Sequence, residues 1–171
     1  MPGAFATQPA PERPTTPDRG YGVPAAGGEM IDWASCVDRL RTANAYWLAT
    51  VSPNRRPRVV PVWGVMVDDA LYLETGAPNT AKVRDIAVND AIAIHLDGVN
   101  DALILHGRAV LARPNSALGL ALAAAFKQKY TTYAPSPHDW DEGGLHKVVP
   151  TVMLAWREMP TATRWRFPHQ G

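Results

Sequence analysis

The pattern of hydrophobic and polar positions predicts three amphipathic helices among a larger number of short strands. Apolar residues recur at helical spacing in three segments, which are residues 30–42, 79–89 and 115–130. Strand-like runs, bounded by glycine, proline and polar turn residues, fill most of the remaining chain. These runs are residues 45–51, 58–67, 71–75, 91–97, 102–112, 148–158 and 163–167. Many short strands with few helices predict a mainly β fold, an antiparallel barrel of six to seven strands with flanking helices, rather than repeated βαβ units.

The first 28 residues differ from the rest of the chain in composition. They contain six prolines and five glycines but almost no aliphatic side chains. Such a segment buries too little apolar surface to offset the entropy that it loses on ordering. We therefore predict a disordered tail over residues 1–28 and one domain over residues 29–171. Within that domain, the polar stretch 131–147 predicts a long loop.

Composition and charge limit the partners that the chain can bind. Its 171 residues carry a formal net charge of +1, so no overall electrostatic field favours nucleic acid or an anionic membrane. No apolar run approaches the roughly 18 residues of a membrane span, and the first residues lack the pattern of a signal peptide. The single cysteine, Cys36, cannot form an internal disulfide, and we expect it on the first helix, in the core or at the surface. We therefore expect a cytoplasmic protein without nucleic-acid or membrane partners.

The strongest candidate for a binding site is the strand-to-helix connection LETGAPNTAKVRDI, which follows the third predicted strand. Lys82 and Arg84 fall in or near the first helical turn, where the helix dipole disfavours cations by roughly 0.3–1 kcal/mol per exposed charge. Free backbone N–H groups, the hydroxyls of Thr75 and Thr80 and these two cations would together suit a phosphate. The alternative is a solvated helix start in which Asp85 offsets the cations.

Basic and aromatic side chains on other strands extend this candidate site. Arg58 shares one strand face with Val60 and Val62, and its guanidinium would either contact the same phosphate or be solvated. Trp63 and Trp165 would either stack on a planar ring or pack in the core. The two arginines that flank Trp165 indicate an interface or an anion contact.

No motif for catalysis by the protein's own side chains is visible. The sequence contains no G-x-S-x-G or G-x-G-x-x-G motif, and its histidines lack metal-ligand spacing. We therefore expect no resident metal, and any redox chemistry would come from a bound cofactor.

The segment YWLATVSPNRRPRVVPVWGVMVDDALYLETGAPNTAKVRDIAVNDAIAIHLDG resembles the pyridoxamine 5'-phosphate oxidase-like, flavin-binding split-barrel superfamily. The likeness runs from about Trp33 to Phe167, and its marks are LATV, RP, PVWG, LYLETG and NTAKVRDI in this order. The resemblance implies a split β-barrel homodimer that holds a flavin or deazaflavin at each subunit boundary.

The resemblance also implies which residues hold the cofactor. The ring system would lie along one strand and take backbone contacts from Arg58, Val60, Pro61, Val62 and Trp63. The cofactor phosphate would bind the connection that follows, at Thr75, Asn79, Thr80 and Lys82. The cofactor of the partner subunit would be reached by a C-terminal tryptophan and arginine, Trp165 with Arg166 or Arg164.

Within the superfamily, the RPRVVPVWG and TRWRF segments most resemble the actinobacterial branch of F420-dependent enzymes. This resemblance implies an oxidoreductase in which reduced coenzyme F420 passes a hydride to an unsaturated small organic substrate. Two alternatives remain, namely an FMN-dependent reductase or oxidase and a non-catalytic protein that carries a cofactor or haem. No side chain is identified as the proton donor, for which solvent and Tyr130 are the candidates.

Overall fold

Six antiparallel strands close into a barrel in the computed structural model, which describes residues 3–15, 22–98 and 100–168. The strands are β1 (Pro11–Glu12), β2 (Tyr46–Val51), β3 (Pro57–Val67), β4 (Ala70–Glu74), β5 (Ala91–His95), β6 (Ala102–Leu111), β7 (Leu145–Trp156) and β8 (Thr163–Arg166). Around the barrel the order is β4, β3, β2, β5, β6 and β7, and β7 pairs with β4 to close it. The strands β8 and β1 continue the sheet beyond β7. The predicted mainly β, antiparallel barrel is confirmed.

Three helices flank the barrel, close to the predicted positions. They are α1 (Trp33–Thr42), α2 (Ala81–Val88) and α3 (Ser116–Lys129). The first and third helices begin at side-chain caps, where Asp32 accepts the N–H of Ser35 and Asn115 accepts the N–H of Leu118. In the described part of the chain, no helix has both the length and the apolar character needed to cross a membrane.

The stretch predicted as one long loop, residues 131–147, is more ordered than its polar composition indicated. A short 3-10 helix spans Pro137–Trp140, and β7 begins at Leu145. The Trp140 side chain is buried in a cluster with Phe126 of α3, so one aromatic residue fixes the segment against the barrel wall. A second 3-10 helix, Met159–Thr161, connects β7 to β8.

The hydrophobic core has two parts. The larger part fills the barrel and the contact with α1, and includes Leu40, Leu48 and Leu103. The smaller part lies between α3 and the outer face of the sheet, around Leu122. Cys36 is fully buried in the larger part, and burial raises the pKa of its thiol to about 11, so it is an unreactive core residue.

The N-terminal segment packs against the barrel, which differs from the predicted disordered tail at residues 3–15. The ring of Phe5 is buried 5.6 Å from the ring of Phe167, and β1 pairs with β8. The Arg13 guanidinium donates to four backbone carbonyls, those of Gly27, Glu29, Pro160 and Ala162. The composition argument failed here because one aromatic anchor and one arginine hold the segment. Residues 1–2 and 16–21 lie outside the described residues.

The strand β3 pairs with β2 before Trp63 and with β4 from Trp63 onward. Residues 57–62 pair with β2, whereas the pairing of β3 with β4 begins at Trp63 opposite Glu74 and continues to Val67. Among the described strands, no second partner pairs with residues 57–62. This half of β3 therefore presents an open edge, beside the point where the chain leaves β4 for α2.

Replacing the aromatic anchor tests the packing of the N-terminal segment. In Phe5→Ala, loss of a buried aromatic side chain costs on the order of 3 kcal/mol. We expect the amide of Phe5, which donates to the carbonyl of Asp69 at 3.0 Å, to lose hydrogen-exchange protection by more than about tenfold. The matched control is Leu120→Ala, since Leu120 is 63% exposed. Equal exchange at Phe5 in wild type and in both variants would contradict this packing.

Candidate functional site

The start of α2 offers unpaired backbone donors and no negative side chain. The first helical hydrogen bond runs from the Arg84 N–H to the Thr80 carbonyl at 3.1 Å, so the N–H groups of residues 81–83 precede the helical pattern. Thr80 is the N-cap residue, but its side chain makes no capping bond, and the first turn contains no acidic residue. The positive end of this helix is therefore open to an anion.

Lys82 and Thr80 converge over Gly76, as the sequence predicted. Gly76 has a φ of +77°, a left-handed conformation that lets the chain turn from β4 toward α2. A Cβ atom on Gly76 would lie 3.7 Å from both the Lys82 Nζ and the Thr80 Cγ2. Lys82 takes part in no ion pair with the residues that the structure describes. The ammonium group thus lies near the Gly76 turn without a carboxylate partner, while the Thr80 hydroxyl donates to the Thr75 carbonyl at 3.4 Å.

The Thr75 side chain is buried away from this cluster, whereas the Asn79 side chain is exposed. Thr75 is fully buried, and its hydroxyl contacts the Gly144 carbonyl at 3.0 Å and the His146 Nδ1 at 2.8 Å. This hydroxyl joins two segments of the protein, and its predicted contact with phosphate stays a prediction. Asn79 is exposed, and its backbone carbonyl accepts a hydrogen bond from the Arg84 guanidinium at 2.6 Å.

A buried carboxylate fixes Arg58 against α2. The Asp85 side chain, 4% exposed, accepts from the Arg58 Nε at 3.0 Å and from the Thr50 hydroxyl at 3.1 Å. Asp85 follows Lys82 by three residues, so the two side chains share one helix face. The Arg58 guanidinium therefore lies near that face, and its terminal nitrogens have no hydrogen-bond partner among the described residues. The sequence paired Asp85 with the cations of the helix start and missed this contact across the barrel.

An arginine-rich cavity extends from this ion pair. It has a volume of about 510 Å³, and its wall includes Arg56, Arg58, Arg84, Asp85, Ala87 and Val88. Three guanidinium groups face one carboxylate, so the cavity carries a local positive charge although the chain is nearly neutral. Such a cavity suits an anionic ligand with some apolar surface.

The outer face of β3 is apolar and exposed beside the open edge. Pro61 is exposed and Trp63 is 39% exposed, whereas Val62 is buried in the barrel, as the alternation of a strand places them on opposite faces. The ring of Trp63 stacks on that of Tyr130, with centroids 4.9 Å apart and planes 19° from parallel. Half-buried Val60 packs against the barrel core. A flat apolar wall therefore lies next to backbone groups that lack a strand partner.

The aromatic wall is held by hydrogen bonds that the sequence did not reveal. The Tyr130 hydroxyl donates to the Gly64 carbonyl and accepts the Gly64 N–H, both at 3.0 Å, so it is engaged and is no longer a candidate proton donor. Glu74 accepts from the Trp140 indole at 2.6 Å and from the Tyr133 hydroxyl at 3.2 Å. Burial, with the Glu74 carboxylate nearby, raises the pKa of Tyr133.

The C-terminal tryptophan is buried, and the two arginines that flank it bind a carboxylate of the same chain. Trp165 is fully buried, with its ring 5.7 Å from that of Trp33. The indole packs in the core of this chain, and its contact with a partner's cofactor stays a prediction. Arg164 and Arg166 both donate through Nε to the Glu12 carboxylate, at 2.6 and 2.7 Å. The hydrogen bond from Arg164 lowers the pKa of Glu12.

A comparison with family models finds one match. The model described as Pyridoxamine 5'-phosphate oxidase matches residues 33–156, from the first residue of α1 to the last residue of β7. No curated protein matches the sequence.

Solved structures share the fold at low sequence identity. An F420 reductase is 22% identical over 66% of this chain and 90% of its own, with a TM-score of 0.50. A candidate 5-nitroimidazole antibiotic resistance protein from Bacteroides thetaiotaomicron is 15% identical over 79% of this chain and 84% of its own, with a TM-score of 0.59. A haem-binding protein from Mycobacterium smegmatis is 16% identical over 77% of this chain and 57% of its own, with a TM-score of 0.59.

Neutralising the buried carboxylate tests the link between β3 and α2. In Asp85→Asn the amide keeps the shape but loses the charge that holds Arg58, and we expect a loss of about 1–3 kcal/mol in the free energy of unfolding, measured in urea. The matched control is Asp90→Asn, because Asp90 pairs with Arg108 at 3.7 Å with both side chains about half exposed. That variant should change stability by less than about 0.5 kcal/mol. Equal losses in the two variants would rule out a special role for Asp85.

Proposed function

Because the chain belongs to the pyridoxamine 5'-phosphate oxidase family, we propose that it is an oxidoreductase that binds a phosphorylated ring cofactor beside β3 and the start of α2. The cofactor that we propose is coenzyme F420, which in its reduced form supplies a hydride for an unsaturated small organic substrate. The observation that carries the proposal is the convergence of Lys82 and Thr80 over Gly76, next to the open edge of β3.

The protein binds the cofactor phosphate at the start of α2. The Lys82 ammonium and the free N–H groups of residues 81–83 provide a cation and several donors there. The Thr80 hydroxyl, whose bond to the Thr75 carbonyl is long at 3.4 Å, turns to the phosphate on binding. The terminal nitrogens of Arg58 provide a further contact, since Asp85 holds only the Nε. Binding an anion here converts the unfavourable position of Lys82 into a favourable one. Asn79 is exposed in the same connection, and its side-chain amide is a further proposed contact with the phosphate.

The ring system lies along β3, where the backbone of residues 57–62 has an open edge. Trp63 and Pro61 offer an exposed apolar surface there, and Val60 and Val62 hold the strand from the barrel side. The stacking of Trp63 on Tyr130 restrains the indole and favours a planar ligand beside it. These residues orient the ring and exclude water from one of its faces.

The arginine-rich cavity favours F420 over FMN. F420 carries an anionic oligoglutamate tail beyond its phosphate, and the positively charged cavity lined by Arg56, Arg58 and Arg84 adjoins α2. FMN has no charged group beyond its phosphate that would use these guanidinium groups. The structural likeness to an F420 reductase agrees with this choice, although it extends only to the fold.

A second copy of the chain completes the site in this proposal. Val51, Val59 and Trp63 are large apolar side chains that are exposed on β2 and β3, beside the proposed ring site. Burial of this surface between two copies would cover the outer face of β3. The Arg166 side chain is 60% exposed and binds Glu12 through its Nε. Its terminal nitrogens therefore remain candidates for a contact with the cofactor of the partner subunit. Sedimentation equilibrium that returns only the monomer mass at micromolar protein would contradict the homodimer.

Titration of the purified chain with F420 and with FMN tests the cofactor and its phosphate contact together. Lys82→Ala should bind F420 about 10- to 100-fold more weakly, as expected for loss of one charge-assisted hydrogen bond. The control is Lys127→Ala, an exposed lysine on α3 that should leave the affinity unchanged. Equal affinity of wild type and Lys82→Ala would remove the phosphate assignment. Binding of FMN without binding of F420 would favour the flavin enzyme instead.

The non-catalytic alternative predicts binding without turnover. The haem-binding protein with the same fold gives this alternative its specific support. With the cofactor bound and reduced, the enzyme is expected to oxidise it in the presence of at least one member of a panel of enones and quinones. Tight cofactor binding with no oxidation across the panel, or tight binding of haem in place of F420, would favour a carrier.

A further inference from the structure

Lys129, at the end of α3, holds its amine between two neutral oxygen acceptors. The Nζ donates to the Gly64 carbonyl at 2.9 Å and to the Tyr46 hydroxyl at 3.0 Å. The Tyr46 hydroxyl itself donates to the Leu40 carbonyl, so its oxygen is free to accept. No carboxylate among the described residues forms an ion pair with Lys129.

This arrangement suits a neutral amine better than an ammonium ion. A neutral amine has two N–H groups and one lone pair, and the carbonyl of Gly64 and the hydroxyl of Tyr46 satisfy both N–H groups. An ammonium has a third N–H for which the described residues supply no acceptor. The rings of Tyr46 and Tyr130, 5.0 and 5.6 Å from Nζ, attract the charged form, but burial outweighs this attraction and lowers the pKa of Lys129 to about 8.

A cavity adjoins Lys129. Its volume is about 430 Å³, and it is lined by Arg41, Thr42, Val65, Met66, Ala125, Gln128 and Lys129. It shares none of its lining residues with the arginine-rich cavity beside α2. Its mixture of apolar and hydrogen-bonding side chains suits a small organic molecule.

The other titratable groups around Lys129 are two tyrosines and an arginine that is paired with carboxylates. Burial raises the pKa of both Tyr46 and Tyr130, so the two phenols are neutral there. The Arg41 guanidinium is balanced by the carboxylates of Asp38, at 2.7 Å, and Asp69, at 3.7 Å. Lys129 is therefore the group that changes protonation at this site, and the cavity offers little net charge to attract an ionic ligand.

We propose that Lys129 is a covalent binding site for small neutral aldehydes that enter this cavity. The amine lone pair forms a bond to the carbonyl carbon while the carbonyl π electrons move to oxygen. A proton then passes from nitrogen to oxygen to give a carbinolamine. Loss of water, which carries away that oxygen, leaves a C=N bond to Nζ, with no oxidant or reductant consumed.

Reductive labelling of the full-length wild-type chain tests this proposal. Propanal is added with cyanoborohydride, which reduces the C=N bond to a stable propyl group, and peptide mass spectrometry follows each lysine with time. At pH 8 an amine of pKa about 8 is half neutral, about a hundredfold more than an ordinary lysine. Its lower intrinsic nucleophilicity reduces the advantage. We therefore expect Lys129 to react at least about tenfold faster than Lys127, the exposed lysine one half-turn earlier on α3.

Two further measurements separate a cavity site from a merely accessible lysine. The labelling rate of Lys129 should level off just above pH 8, while that of Lys127 continues to rise. A bulky aldehyde such as pyrene carboxaldehyde should lose the preference for Lys129. The proposal fails if Lys129 reacts no faster than Lys127 with propanal, if the two rates rise in parallel to pH 10, or if the bulky aldehyde retains the preference. All three readouts use the wild-type protein, so none depends on a variant that folds.

Discussion

The buried carboxylate of Asp85 ties together the three elements on which the candidate site depends. It lies on α2, and it binds β2 through Thr50 and β3 through Arg58. A buried carboxylate needs such partners, because an unpaired charge in the protein interior is costly. Because the Asp85 carboxylate needs these hydrogen-bond donors, it fixes the rotation and position of α2, a helix of only eight residues. With α2 in this position, Lys82 and Thr80 lie over Gly76, and the positive helix start adjoins the open edge of β3.

Sequence periodicity predicted the elements of the fold because barrel strands and flanking helices each bury one face. The alternation along β3 grouped Val62 with Arg58 and Val60 on one face but left open whether Trp63 packs in the core, and the structure has Val62 buried and Trp63 39% exposed. What periodicity cannot supply is the direction of a short polar side chain. The Thr75 hydroxyl binds Gly144 and His146 in a later segment of the chain, which no local pattern reveals.

The surroundings of the C-terminal residues were hidden from the sequence for a related reason. Whether Trp165 is exposed depends on Trp33, which lies in another element far earlier in the sequence. The partner of Arg164 and Arg166 is Glu12, in a segment whose composition indicated disorder. In both cases a contact between residues far apart in the sequence determines where the side chain lies. The sequence offered only the average properties of each segment, which do not reveal such contacts.

A crystal structure of the protein with F420 would show whether the start of α2 binds the phosphate of a ring cofactor. We expect the phosphate within hydrogen-bond distance of the Lys82 Nζ and the first N–H groups of α2, with the ring along residues 57–62 of β3. A phosphate bound elsewhere, for instance at Arg164 and Arg166 after displacement of Glu12, would rule out this phosphate site.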